Sequence, residues 1–135
     1  MSKRMTKSAL DEMRTLGALN PVGHAILAFQ ADAVTADARR ALLEAGFQDA
    51  DILSLTAGEL FPDLADMMRN ASGAAGFGYE IVLMRRYMTL ASEGAGWLVV
   101  YSPDEEQIKK VAAAAKQFDA KSAVHYGRLA SEDLV

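Results

Sequence analysis

The chain has 135 residues, 51% of them apolar and 24% charged, which suits one globular domain with a core of its own. Its 14 basic and 18 acidic residues leave a net charge of −4, which argues against general nucleic-acid binding. Cysteine is absent, so disulfides, thiol nucleophiles and cysteine-ligated zinc are excluded, and a cytoplasmic location is expected.

The N-terminal stretch MSKRMTKSALDEM is basic, and no apolar signal-peptide core follows it. Leu10, Met13 and Leu16 stand near helical spacing and predict a short amphipathic helix within an extension covering 1–20. Asn20-Pro21 breaks it. HAILAF (24–29) is a short apolar run bounded by turn residues, the pattern of a buried strand. Residues 32–45 predict a helix with Val34, Ala38, Ala41, Leu42 and Ala45 on one side, closed by Gly46 at the C-cap. DILSLT (51–56) predicts a second strand.

From residue 96 the same grammar returns. WLVVYS (97–102) predicts a strand, and Ser102-Pro103-Asp104-Glu105 a helix start with Ser102 as N-cap. The helix runs to about Phe118 with Ile108, Val111, Ala112 and Ala115 inward, and SAVHY (122–126) predicts the next strand. Each half ends in a short acidic tail, AGEL (57–60) and SEDL (131–134). Two βαβ halves, 23–60 and 96–134, predict a single α+β domain of ferredoxin-like, split-βαβ type. Its four strands would form an antiparallel sheet in the order 4-1-3-2, with the two repeated helices on one face.

Residues 61–93 form an insertion between the halves. PDLADMMRN (62–70) and YEIVLMRRYMTLASE (79–93) predict a helical hairpin, the second helix closed by Gly94. The glycines of GAAGFG (73–78) have neither the order nor the preceding strand of a dinucleotide fingerprint, and no phosphate-loop lysine follows them. They suit the bend of the hairpin. An integral membrane segment is excluded here, because Glu80 and Arg85-Arg86 interrupt a stretch already shorter than the roughly 20 residues a spanning helix needs. The second helix is apolar over a wide arc, with Ile81, Met84 and Met88 on one stripe and Leu83, Tyr87 and Leu90 on another. Residues 97–101 are apolar on both faces of their strand. The face away from the repeated helices therefore needs a cover, either from the insertion or from a second copy of the chain, and a homodimer is expected.

Candidate ligand-binding residues are His24, Arg85, Arg86, Tyr87, His125 and Tyr126. The predicted sheet sets the two histidines on neighbouring strands near Tyr126, where with Glu59 or Asp133 they would form either a metal or acid–base pair or a set of local hydrogen bonds. Arg85 and Arg86 point about 100° apart on the helix, so one of them suits a small anionic ligand or a partner carboxylate. No metal-ligand spacing, paired-carboxylate signature or catalytic triad stands out. No cofactor or metal is expected, and the methionines read as adaptable packing.

The segments HAILAFQADAVTADARRALLEAGFQDADI and VVYSPDEEQIKKVAAAAKQFDAKSAVHYGRLASEDL resemble small bacterial general-stress and low-temperature-induced proteins, through an alanine-rich helix ending in AGF and a strand containing DI. The resemblance covers roughly residues 23–60 and 94–134 and carries over no catalytic residue. The resemblance implies a stress-related domain of a largely uncharacterised family; together with the two-sided apolar strand and the lack of a catalytic signature, the expectation is a non-enzymatic homodimer for small-ligand sensing or protein interaction. The alternative is a small dimeric α+β-barrel enzyme, a cofactor-free oxygenase or isomerase, with His24, His125, Tyr126 and Arg86 converging on a pocket.

Overall fold

A computed structural model describes residues 4–10, 21–62, 65, 79–128 and 130–135. Expectations for Met13 and Leu16, for most of the 62–70 helix and for the glycine run 73–78 fall outside them. The described elements are β1 (His24–Phe29), α1 (Asp32–Glu44), a 3-10 turn (Asp49–Asp51), β2 (Ile52–Leu55), α2 (Ala57–Leu60), α3 (Tyr79–Ser92), β3 (Gly96–Tyr101), α4 (Glu105–Gln117), β4 (Ser122–Tyr126) and β5 (Ser131–Asp133).

The strands form a single antiparallel sheet in the order β2-β3-β1-β4-β5. Its first four strands stand in the predicted order, but the sheet has five strands rather than four. The extra one comes from the second acidic tail, where Ser131–Asp133 pairs with Tyr126–Val124. The first tail does not match it. There, Thr56 and Glu59 form a reciprocal capping box that starts a helical turn: the Thr56 hydroxyl accepts from the Glu59 amide, and the Glu59 carboxylate accepts from the Thr56 amide. Two tails alike in composition thus take different structures because one carries a helix-starting pair.

Strand alternation splits the core into two layers. Ala25, Leu27 and Phe29 of β1, Leu98 and Val100 of β3 and Ala123 of β4 face Ala38 and Leu42 of α1 and Val111, Ala114 and Ala115 of α4. Ile26, Ala28, Trp97, Val99, Val124 and Tyr126 face the other way, beneath Leu83, Tyr87, Met88 and Ala91 of α3, together with Leu60, Phe61 and Leu10. The cover sought for the second face is therefore supplied within the chain. Met84 is half-buried against this layer and Met88 is buried in it, so neither presents an exposed apolar patch.

Helix α4 starts later than its sequence suggested. The N-cap is Asp104, whose carboxylate accepts from the Gln107 amide at 2.9 Å, while Ser102 donates its hydroxyl to Val100 O inside the sheet. A carboxylate caps more strongly than a hydroxyl already engaged elsewhere. Gly46 ends α1 with φ +111°, as expected for a left-handed cap.

Gly96 fixes the distance between α1 and β3. A Cβ built there would lie 2.1 Å from Thr35 Oγ1 and 2.8 Å from Asp32 Oδ1. Thr35 is itself buried, and its hydroxyl donates to Ala31 O at 3.0 Å, so it has little room to yield. Gly96→Ala is expected to destabilise the protein by about 1–3 kcal/mol through overpacking, read as a lower urea midpoint at unchanged slope.

Candidate functional site

The predicted site residues divide among three places. His24 and Tyr126 are register partners and share the α3 face, whereas His125 pairs with Ala25 and faces the α1/α4 layer. Adjacent strands bring the two histidines near each other, but the sheet stands between their side chains. The paired-histidine site is not formed, because the two residues lie at odd and even positions of the β1/β4 ladder.

Each ring has a local partner instead. His24 is 1% exposed. Its Nδ1 lies 3.1 Å from Val22 O, and since a carbonyl can only accept, Nδ1 carries the proton. Nε2 then accepts the Met5 amide at 2.8 Å. Burial pushes the His24 imidazole below its ordinary value; the bond to Val22 O opposes that shift and the charge of His125 adds to it. His125 donates from Nε2 to Ser102 O at 2.9 Å.

Tyr87 of α3 reaches down to Tyr126 of β4, their hydroxyls 2.7 Å apart in a buried setting. The Tyr87 ring also meets Trp97 edge-to-face at 5.3 Å, and Phe61 meets Trp97 in the same manner at 6.2 Å. Trp97 is fully buried, and its indole Nε1 has no hydrogen-bond partner among the described residues. This cluster fastens α3 to the sheet.

Arg86 lies on the outer flank of α3, where its guanidinium donates to Lys121 O. Leu83 and Arg86 from α3, Lys121, Ser122 and Ala123 from the start of β4, and Asp133 and Val135 from the chain end line an open cleft of about 230 Å³. Arg85 is half-buried and does not line it. Of the six candidate ligand-binding residues Arg86 alone reaches the cleft; Asp133, a candidate carboxylate for the histidines, also lines it. Lys121 and Ser122 were not picked, since nothing in their local pattern shows that β4 begins beside α3. Among the described residues no group of three or more His, Asp or Glu side chains could hold a metal ion, and no helix is long and apolar enough to cross a membrane.

Comparison with known proteins finds no matching family model, no similar curated protein and no similar solved structure.

The Tyr87–Tyr126 contact gives a testable energy. Tyr87→Phe and Tyr126→Phe should each cost about 1–2 kcal/mol, and the double variant should cost less than their sum by about 0.5 kcal/mol or more. Urea unfolding of the four proteins in the cycle measures the coupling, and strict additivity would show that the hydroxyl pair does not hold α3.

Proposed function

We propose that the chain is a non-catalytic α+β binding module whose ligand is a small anion, of carboxylate or phosphate type, held at the Arg86–Lys121 cleft. The observation that carries this reading is the anchoring of Arg86. Its guanidinium is held on Lys121 O, so one arginine is kept in place at the mouth of a concave surface that also includes Lys121 and the Ser122 hydroxyl. A fixed guanidinium loses less freedom on binding than a mobile one and suits bidentate pairing with a planar or tetrahedral anion. Asp133 on the rim offsets part of the positive charge and favours small, singly charged ligands. The volume is below the range usual for drug-sized ligands, which points the same way.

The stress-related assignment rests on the resemblance of the two βαβ segments. Their similar lengths and the placement of α1 and α4 on one face support a duplicated, ferredoxin-like core. The described apolar side chains of α3 are covered within the chain, so a homodimer remains an expectation from sequence alone, and a cytoplasmic setting rests on the cysteine-free sequence. The enzyme alternative loses its main support, since His24, His125, Tyr126 and Arg86 do not converge: one histidine faces each layer, and Arg86 sits at the outer edge.

Titration of the labelled protein with acetate and with inorganic phosphate, followed by amide NMR, tests the site. Saturable shifts at Leu83, Ser122 and Ala123 with Kd on the order of 1 mM, or about −4 kcal/mol, are expected. Arg86→Gln should weaken them severalfold. Shifts that stay linear into the tens of millimolar, or that are the same in Arg86→Gln, would remove the reading.

A further inference from the structure

Residues 4–10 cross the edge of the α3 layer and are tied down at four points on different parts of the fold. Arg4 Nε donates to Asp51 Oδ1 at 2.6 Å, and its guanidinium lies 5.6 Å from the centre of the Tyr101 ring. The Met5 amide donates to His24 Nε2. Lys7 Nζ is 3.1 Å from Glu59 Oε2, the carboxylate whose other oxygen caps α2. Leu10, 2% exposed, inserts into the apolar layer under α3.

We propose that this segment is an acid-released strap, docked on the sheet while His24 is neutral and undocked when its ring takes a second proton. Both ring nitrogens of His24 are already committed, Nδ1 as donor to Val22 O and Nε2 as acceptor from Met5. Protonation at Nε2 turns the acceptor into a donor and sets two N–H groups against each other across 2.8 Å. It also places a cation in a site that is 1% exposed.

The surroundings of His24 make that charge worse for the strap in particular. The His24 and Tyr101 ring centres are 5.0 Å apart, and Arg4 lies over the same Tyr101 ring, so a charged His24 and Arg4 would share one aromatic neighbour. On β4, Tyr126 is the register partner of His24, and His125 contributes a further like charge when protonated. Asp51, the carboxylate that holds Arg4, also accepts from the Gln48 amide. Protonation therefore strikes the Met5 and Arg4 ties together.

The direction of the pH dependence follows. With the folded His24 held below its ordinary 6.5, the docked state binds fewer protons than the undocked one between those two values. Docking is complete above 6.5, weakens as pH falls below it, and is lost as pH drops through the folded value. Asp51 does not contribute in that window. Burial alone would raise its carboxyl, but the bonds from Arg4 and the Gln48 amide and the Arg4 charge outweigh it and hold the group below 3.8.

Hydrogen exchange of the whole labelled protein from about pH 7.5 to about pH 5 tests the strap. Protection of the Met5 amide, corrected for intrinsic exchange, should fall by about tenfold or more while Ile26 and Val99 in the sheet keep theirs. His24→Gln, whose side-chain carbonyl can accept from Met5 without titrating, should abolish the acid step. If that variant does not fold, Met5→Pro, which removes the donor and is read at the Leu10 amide bonded to Thr6 O, should give a strap already undocked at neutral pH with no acid step. A Met5 protection factor that does not fall between about pH 7.5 and about pH 5, loss of Ile26 and Val99 protection in the same step, or an unchanged step in either folded variant would overturn the proposal.

Discussion

Everything else in this fold depends on the requirement that β1 and β3 be covered on both faces. β1 is buried along its whole length, and β3 is buried except for Tyr101 at its end. Fully burying one Val, Leu, Ile or Phe is worth about 1.5–3 kcal/mol, so leaving either face to water would forfeit much of a small domain's margin. One face is closed by α1 and α4. The other is closed by a patchwork of α3, the α2 turn with Phe61, and the N-terminal strap.

The two layers are built to different standards. The α1/α4 layer rests on helices rich in alanine, one of them seated at glycine distance on β3. The α3 layer is pinned by polar contacts that cross it: the tyrosine pair, the His24–Met5 bond and the buried end of the Arg4–Asp51 pair. Apolar packing is insensitive to pH, whereas hydrogen bonds to titratable groups are not. The α3 side, where the strap also lies, thus carries the His24–Met5 and Arg4–Asp51 ties.

Much of the architecture could be read locally. HAILAF and SAVHY are strands over the expected residues, the alanine-rich helix ends at Gly46, and β2, β3, β1 and β4 stand in the expected order within a sheet of five strands. The errors fall where neighbouring signals compete. Asp104 rather than Ser102 caps α4, and Thr56-x-x-Glu59 turns one acidic tail into a helical turn while its counterpart becomes β5. His24 and His125 were reasonable choices as buried polar groups, yet their separation by the sheet depends on a register that pairs His24 with Tyr126 and His125 with Ala25.

Taken by itself, the sequence determined the alternation of strands and helices, the apolar character of both faces of the central strands, and hence the need for two covering layers. Those properties are periodic and local, so they survive without knowledge of what lies opposite. Only the tertiary structure decided which segments supply the second cover, that Arg86 meets Lys121 at the rim of a cleft, and that the Met5 amide closes on His24. Each of these joins residues 19 or more positions apart. Their geometry is set by register and packing, which no single stretch of chain encodes.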